Sequence, residues 1–458
     1  MAKNKITQLR DFPSAEELLQ EKKVEAYIAH LPRPIVAQVV KDVIAQAKIK
    51  FKDSKQLTKG DIIEAICFAS EQKKRREITK VINASGIVVH TNLGRAPLSD
   101  ELFEEIRKTT TGYSNLEFDL ESGKRGSRGE AAESYLSTLS QAESSIIVNN
   151  CAAGLLLTLN TLANKKEVII SRAELVQIGG GFRIPDILKK SGAKLVEIGS
   201  TNITTLKDYQ QAISDKTGMI LKVHQSNFVQ KGFVEEVSLK ELVKLGNSKN
   251  IPVVNDLGSG VFVQTKKLLG YSEPTVQMSV RDNADITCFS GDKLLGGSQA
   301  GLLVGKSEYI QKIKKNPLFR TMRADKIVFA ILEKLLMYYL DNTWQEKIKL
   351  WAMLSIPESE LYKTGKAIQK KLGNPDGLSV EATKAFVGGG ALPESDIPSV
   401  GIIFSDKYNA NKLLNLFRKL PYPIIGRIHE NRFVIDLKAV EKSDYNYLEQ
   451  SIKTILTK

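Results

Sequence analysis

The sequence has few cysteines and no long apolar segment. Cys67, Cys151 and Cys288 are the three cysteines in 458 residues. They are too few and too scattered for a disulfide framework, and no CxxC pair is present to bind zinc. The N-terminal residues lack the apolar core of a signal peptide, and no run reaches the ~18 apolar residues of a membrane span. The longest candidate, 327–340, is interrupted by charged residues and is typical of a buried helix. These absences predict a cytoplasmic protein with no membrane partner.

Acidic residues are too few to balance the basic ones, and the net charge of +14 suggests an anionic partner. Residues 1–80 contain 17 Lys and Arg against 11 Asp and Glu, so they carry +6 of that charge. Helix-start signals, such as the capping box at 14–17, predict a helical domain over residues 1–75. Its basic residues predict a surface that contacts RNA phosphates, with solvated helix faces as the alternative. They are Lys48, Lys50, Lys52, Lys55, Lys59 and the run 73–76.

After residue 80 the pattern changes to short apolar runs separated by helical stretches. Strands alternating with helices are typical of a largely parallel sheet that is covered on both faces. The predicted strands lie at 146–148, 168–171, 194–198, 219–223, 252–255, 286–289 and 301–304. We therefore expect an α/β fold with a mostly parallel seven-stranded sheet in a catalytic domain over residues 76–335. Ligands of such sheets bind outside the carboxyl ends of the strands.

Residues 336–458 are expected to form a smaller α+β domain. The pattern predicts a strand at 400–404, a hairpin of strands at 424–428 and 432–437, and helices at 409–419 and 445–456. The residues at 388–390 are three consecutive glycines, a composition that favours a mobile loop. The sequence assigns no function to this loop.

Lys293 follows the strand predicted at 286–289 and precedes a glycine pair. An amine on a tight turn beside a buried strand is poorly solvated, so its pKa is expected to fall. That state allows a lysine to bind an aldehyde cofactor covalently. The alternative is a surface lysine in a glycine-rich loop.

Asp256 follows the strand predicted at 252–255, 37 residues before Lys293. A buried carboxylate is costly unless it meets a cation, and the protonated nitrogen of a pyridine ring would be such a cation. One helix and one strand separate Asp256 from Lys293, which predicts that both face one cavity.

A phosphate site is predicted where a helix begins after the first strand of the sheet. Backbone N–H groups at such a helix start could bind a phosphate, although a simple helix cap is the alternative. The residues are Asn150, Cys151, Ala152 and Ala153. Ser290, three residues before Lys293, could add a hydroxyl group to the same phosphate.

His224 and Ser226 belong to a polar cluster at 224–228 that follows another predicted strand. The cluster could contribute to the same cavity or be only a soluble loop. Taken together with Lys293 and Asp256, the candidate residues describe a pyridoxal-phosphate enzyme of the aspartate-aminotransferase-like fold class.

Longer motifs extend this interpretation. They are VINASGIVVHTNLGRAPLS, SGKRGSR, SRAELVQIGGGFRIPDILKKSGAKLVEIGSTN, KVHQSNF, VVNDLGSG, CFSGDKLLGGSQAGLLVGK and NPLFRTMRADK. Together they resemble the bacterial selenocysteine synthase family, the L-seryl-tRNA(Sec) selenium transferases. The resemblance is dense over residues 81–326, and the N-terminal and C-terminal domains lie where that family has them. It implies the same pyridoxal-phosphate fold class.

The resemblance also implies site residues and partners. It implies that Lys293 binds pyridoxal 5'-phosphate, and that Arg95, Arg320 and Arg323 bind the selenium donor, selenophosphate. Guanidinium groups bind such oxyanions through paired hydrogen bonds, although surface salt bridges are the alternative for these arginines. Seryl-tRNA(Sec) is the implied substrate, and a ring of dimers, such as a decamer, is the implied homo-oligomer.

We therefore expect conversion of L-seryl-tRNA(Sec) to L-selenocysteinyl-tRNA(Sec). Lys293 would remove the α-proton, and Asp256 would keep the cofactor nitrogen protonated. Either Lys293 or His224 would protonate the departing hydroxyl group. Two alternatives are open. One is a pyridoxal-phosphate lyase or aldolase that acts on a small phosphorylated amino acid without RNA. The other is a tRNA-binding protein whose enzyme core has decayed.

Overall fold

The computed structural model describes residues 5–54, 57–178, 181–390 and 396–457. Lys55, a member of the predicted RNA-contacting set, lies outside the described residues. The chain divides into two compact units, Met1–Lys80 and Val81–Lys458.

The first unit is mainly helical. Its elements are β1 (Lys5–Ile6), α1 (Ala15–Leu19), α2 (Lys22–Ile28), α3 (Arg33–Ser54), β2 (Leu57–Thr58) and α4 (Lys59–Lys74). The hydroxyl group of Ser14 accepts a hydrogen bond from the Glu17 N–H at 3.1 Å and so starts α1. A capping box of Thr58 and Asp61 starts α4. Apolar side chains from all four helices bury one another in a core of the unit's own.

The second unit contains the remaining strands and helices. The strands are β3 (Ile82–Asn83), β4 (Ile87–Val89), β5 (Ser144–Val148), β6 (Glu167–Ser171), β7 (Gln177–Ile178), β8 (Phe182–Arg183), β9 (Lys194–Ile198), β10 (Thr217–Val223), β11 (Val253–Gly258), β12 (Ile286–Ser290), β13 (Gly301–Gly305), β14 (Leu378–Gly388), β15 (Asp396–Phe404), β16 (Ile424–Ile425), β17 (Arg427–His429) and β18 (Arg432–Asp436). The helices are α5 (Asp100–Thr111), α6 (Glu130–Ser140), α7 (Cys151–Ala163), α8 (Ile184–Ser191), α9 (Leu206–Ala212), α10 (Leu239–Lys249), α11 (Thr265–Leu269), α12 (Val276–Arg281), α13 (Ser307–Lys315), α14 (Lys326–Leu340), α15 (Trp344–Lys347), α16 (Lys349–Leu354), α17 (Glu358–Lys371), α18 (Ala410–Arg418) and α19 (Tyr445–Leu456).

The large sheet has seven strands in the order β5-β13-β12-β11-β10-β6-β9. β13 runs antiparallel to both of its neighbours, and the other neighbouring pairs are parallel. The expected α/β fold with a mostly parallel seven-stranded sheet is therefore confirmed. The central strands are buried along their length, which explains why each of them appears in the sequence as an almost continuous apolar run.

A second sheet has five strands in the order β17-β18-β15-β14-β4. β14 and β15 form a long antiparallel pair, and β4 joins β14 in parallel, with Gly388 opposite Val89. A three-residue strand from the beginning of the unit thus completes a sheet built from its C-terminal part. This pairing places the segment that contains Arg95 beside the three glycines at 388–390.

The predicted hairpin of 424–428 with 432–437 is correct only in part. β17 and β18 do pair antiparallel, but β16 pairs in parallel with β3. The break falls at Gly426, where a Cβ atom would lie 2.6 Å from the carbonyl oxygen of Val434. The chain therefore leaves one sheet for the other at this glycine.

Across the described ranges, none of the helices combines the length and the apolar character that crossing a membrane requires.

Candidate active site

A cavity lies at the edge of the large sheet where the parallel strands β5, β10, β11 and β12 end. The residues that line it are Arg95, Asn150, Cys151, Ala152, Leu155, Val223, His224, Ser226, Asp256, Gly258, Ser290, Lys293 and Gln299. Most of the residues singled out in the sequence therefore meet in one place. Of that set, Ala153, Arg320 and Arg323 are not part of the cavity wall.

Asp256 lies on β11, opposite Val223 of β10 and Cys288 of β12. Burial raises the pKa of its carboxyl group, and the nearby charge of Lys293 opposes that rise only in part. No lysine or arginine of the described chain lies at ion-pair distance from Asp256. The carboxylate is therefore short of a cation, and a protonated ring nitrogen in the cavity would provide one.

Lys293 lies on the turn after β12, and only 8% of the residue is exposed. Its amine lies between the backbones of two glycines. A Cβ atom built on Gly258 would be 3.6 Å from Lys293 Nζ, and one built on Gly390 would be 2.7 Å from it. Both glycines have positive φ angles, +71° and +89°. The last residue of the glycine triplet, to which the sequence assigns no function, therefore lies against the lysine amine.

The predicted phosphate site is the N-terminus of α7. Asn150 is the N-cap, and its side-chain oxygen accepts a hydrogen bond from the Ala153 N–H at 2.8 Å. The cap thus uses the N–H group of Ala153. The N–H groups of Cys151 and Ala152 lie at the helix start, where no intrahelical acceptor exists for them. Gly301 of β13 permits this packing, since a Cβ atom there would lie 2.2 Å from the Asn150 carbonyl oxygen.

Cys151 connects the helix start to Asp256. Its Sγ atom lies 3.8 Å from Asp256 Oδ1. Burial, followed by the nearby Asp256 carboxylate, raises the pKa of the Cys151 thiol. The thiol therefore keeps its proton and can donate a weak hydrogen bond to Asp256.

The polar cluster after β10 folds back on the end of β11. The His224 N–H donates to the Asp256 carbonyl oxygen at 2.9 Å, and the Ser226 N–H donates to the His224 carbonyl oxygen at 2.8 Å. Ser226 is 3% exposed and Ser290, at the end of β12, is 7% exposed. Two hydroxyl groups thus lie in the cavity wall.

His224 has a neighbour that the sequence interpretation missed. Its Nε2 atom lies 3.3 Å from Oε1 of Glu273, a buried residue of the segment between α11 and α12. No motif marks Glu273, because a carboxylate between Ser272 and Pro274 is typical of a surface loop.

Arg95 lies in the cavity wall and pairs with Asp292, a second residue that the sequence interpretation missed. Arg95 Nη1 lies 2.7 Å from Asp292 Oδ2. Asp292 is buried and directly precedes Lys293, so it orients the guanidinium group beside the lysine. Arg95 itself has a φ angle of +66°, which is uncommon for a residue with a side chain. The position next to Lys293 was the signal that could have identified Asp292.

Arg320 and Arg323 lie beside the end of β5, outside the cavity wall. The segment that carries them is held there because the Asn149 N–H donates to the Met322 carbonyl oxygen at 2.8 Å. Arg320 is exposed. Within the chain, the structure therefore brings Arg95 to the lysine but not Arg320 or Arg323.

Arg323 belongs to a cluster of three arginines around one carboxylate, Glu117. Glu117 Oε1 lies 2.8 Å from Arg128 Nη1 and 3.5 Å from Arg323 Nη1, and Arg125 pairs with the other oxygen. The hydrogen bond from Arg128 lowers the pKa of Glu117, so the group is charged. One negative charge therefore faces three positive ones. The Nε atom of Arg323 is buried and lacks an acceptor in the described parts of the chain.

Comparison with known proteins gives consistent matches. The model of the L-seryl-tRNA selenium transferase family matches residues 81–441. The L-seryl-tRNA(Sec) selenium transferase of Clostridium botulinum (strain Loch Maree / Type A3) is 40% identical over 455 residues, which is 98% of each chain. That of Aquifex aeolicus (strain VF5) is 40% identical over 459 residues, covering 99% of this chain and 100% of the relative. Among solved structures, D-glucosaminate-6-phosphate ammonia-lyase is similar in fold, with a TM-score of 0.60 at 19% identity over 82% of this chain and 96% of that one.

Proposed function

The chain belongs to the L-seryl-tRNA selenium transferase family, and from that premise we propose that it converts L-seryl-tRNA(Sec) to L-selenocysteinyl-tRNA(Sec) with selenophosphate as the selenium donor. The observation that carries the proposal is the meeting of Lys293, Asp256 and the N-terminus of α7 in one cavity. The full-length relatives that carry this name support it over a lyase or aldolase acting without RNA, because the ammonia-lyase likeness concerns the fold alone.

The proposed cofactor is pyridoxal 5'-phosphate, which when bound supplies an electron sink for a substrate amino group. The residues fit it. Asp256 lacks a cation, which the pyridine nitrogen provides. The amides of Cys151 and Ala152, with the hydroxyl groups of Ser226 and Ser290, suit a phosphate. The Lys293 amine is the group that binds the aldehyde carbon.

The chain's own groups then divide the work of the reaction. The Lys293 amine, buried between two glycines, accepts the proton from the α-carbon of the seryl group. Lys293 or His224 returns a proton to the departing β-hydroxyl group. Arg95, oriented by Asp292, is placed to hold an anionic selenium donor beside the lysine. The surplus of positive charge around Glu117 supports Arg323 as a further donor ligand, with Arg320 nearby.

The basic first unit is proposed to bind the tRNA. Lys48, Lys52, Lys73 and Lys74 are exposed on it. Lys59 is different, because Glu17 Oε1 lies 2.5 Å and Glu21 Oε1 2.7 Å from its amine. The contact to RNA therefore falls on the other lysines. A cytoplasmic location, where seryl-tRNA is made, and a ring of dimers complete the proposal.

The test is product formation by the purified full-length protein. With pyridoxal phosphate, seryl-tRNA(Sec) and selenophosphate, we expect selenocysteine on the tRNA, detected by mass spectrometry after deacylation. Lys293→Ala should give neither product nor a cofactor adduct that borohydride traps. Lys267→Ala, at an exposed lysine, is the matched control and should retain both. Release of ammonia from a small phosphorylated amino acid, with no requirement for tRNA, would instead support the lyase.

A further inference from the structure

Glu273 is a buried carboxylate, and its Oε1 atom has no hydrogen-bond partner among the described residues. It is 4% exposed. Its Oε1 atom and the Nε2 atom of His224 are both buried, and neither makes a hydrogen bond of good geometry with any described residue. The two atoms are nevertheless 3.3 Å apart. Since buried polar atoms are costly when unpaired, a small rotation that joins these two atoms satisfies both at once.

The position of Glu273 is set independently of His224. The hydroxyl group of Thr265, at the start of α11, accepts a hydrogen bond from the Glu273 N–H at 2.9 Å and donates one to the Tyr271 carbonyl oxygen at 2.8 Å. Thr265 is 1% exposed. The loop is therefore held at both ends of the Tyr271–Glu273 segment, and the carboxylate approaches the histidine from a fixed backbone.

His224 presents two different edges. Its side chain is 28% exposed and lines the cavity, yet its Nε2 atom is buried against Glu273. The backbone of His224 is fixed as well, by its hydrogen bond to the carbonyl oxygen of Asp256.

We infer that Glu273 is a positioning residue for His224: its carboxylate accepts the Nε2–H, fixes the ring orientation and tautomer, and leaves Nδ1 as the nitrogen that a bound ligand can meet. A carboxylate that orients a histidine in this way determines which ring nitrogen is available for hydrogen bonding or proton transfer. The consequence for catalysis rests on the proposed function, while the pairing itself concerns only the chain.

Two substitutions separate this role from a structural one. Glu273→Leu removes the acceptor at similar volume and leaves the buried Nε2–H of His224 without a partner, which costs stability. Glu273→Gln keeps an oxygen that can accept the Nε2–H. We therefore expect Glu273→Leu to melt lower than the wild-type protein and Glu273→Gln to melt close to it, so both readouts are taken well below the melting temperature of Glu273→Leu.

The first readout is the long-range 1H–15N spectrum of protein labelled at histidine. The chain has four histidines, and His224→Gln identifies the signal of His224. We expect the His224 proton on Nε2 in the wild-type protein and in Glu273→Gln, and a mixture of tautomers in Glu273→Leu. His30, His90 and His429 serve as internal controls and should not change. An unchanged His224 signal in Glu273→Leu, or loss of the Nε2 proton in Glu273→Gln, would overturn the inference.

The second readout is turnover of seryl-tRNA at saturating selenophosphate. Misplacement of a group that contacts the reacting atoms should slow Glu273→Leu by roughly 10- to 100-fold, with Glu273→Gln restoring most of the rate. Equal rates for Glu273→Leu and the wild-type protein would contradict the inference. A wild-type protein that is inactive on seryl-tRNA but keeps the Nε2 signal would contradict the proposed function and still support the pairing.

Discussion

At the scale of single residues, the cavity favours neutral forms of groups that are often charged. Burial raises the pKa of the Asp256 carboxyl group and of the Cys151 thiol, and these two groups lie 3.8 Å apart. A carboxylate in such a place destabilises the folded chain unless a cation joins it. The burial that suits the Asp256 carboxylate to a protonated ring nitrogen should therefore lower the stability of the folded chain whenever that nitrogen is absent.

Asp256→Asn should make the cofactor-free protein more stable at neutral pH. Because burial raises the pKa of Asp256 in the folded chain above its ordinary value of 3.8, the folded state keeps the proton to a higher pH than the unfolded state does. The stability of the wild-type protein is therefore lost as pH rises from about 4 toward neutral, while an asparagine does not titrate. Thermal unfolding of both proteins over this pH range should show a widening gap in favour of the variant.

The control for this measurement is Asp215→Asn, at an exposed aspartate, which should show no such gap. A wild-type protein that is the more stable one at pH 7 without cofactor would contradict the burial argument. With pyridoxal phosphate added, the wild-type protein should gain more stability than the variant, because only the carboxylate meets the charged nitrogen.

At the scale of elements, the sequence predicted the strands of the large sheet and the residues at their ends. Buried parallel strands are short and apolar, so each one is visible as a run. The pairing of β4 with β14 was not predictable in this way, because β4 has three residues and its partner lies about 300 residues further along the chain. That pairing is what brings Gly390 to Lys293. Glu273 was hidden for a related reason, since only tertiary packing buries it.

Gly390→Ala should impair the capture of pyridoxal phosphate by Lys293. A Cβ atom at this position would lie 2.7 Å from Lys293 Nζ and from Cε, closer than atoms can approach, so the end of the lysine must move. We expect the cofactor-free variant to bind pyridoxal phosphate covalently about tenfold more slowly or worse, measured by the absorbance change after mixing.

Gly373→Ala is a matched control for that substitution. Gly373 has a φ angle of +82°, close to the +89° of Gly390, but a Cβ atom there meets nothing within 4 Å. Both variants should therefore share the cost of an alanine in the left-handed region, about 1–2 kcal/mol. Only Gly390→Ala should lose capture rate. Equal capture rates in the two variants would contradict an effect of contact between residue 390 and the lysine.

At the scale of the whole molecule, the two units each have a core of their own. The first unit buries apolar side chains from Ile6 to Ile66, and the second has separate clusters on its sheets. The residues that we propose for catalysis all lie in the second unit. The net charge is concentrated in the first unit, because residues 1–80 carry +6 of the +14. The sequence alone shows this charge distribution, because counting charges does not depend on tertiary contacts. It could not predict where Arg320 and Arg323 lie relative to the cavity.

A protein that lacks residues 1–80 should therefore keep its cofactor chemistry and lose most of its affinity for tRNA. Among the described residues, the second unit has apolar clusters built from its own side chains, so we expect the truncated chain to fold and to bind pyridoxal phosphate at Lys293. Affinity of the full-length protein for labelled seryl-tRNA should fall steeply between about 50 and 200 mM salt, because each phosphate contact releases counterions. In the truncated protein both the affinity and the salt dependence should be much smaller.

A full-length variant in which Lys73 and Lys74 are changed to Glu is the control for the truncation, and it should also bind tRNA more weakly. An unchanged tRNA dissociation constant in the truncated protein would place the RNA contact on the second unit.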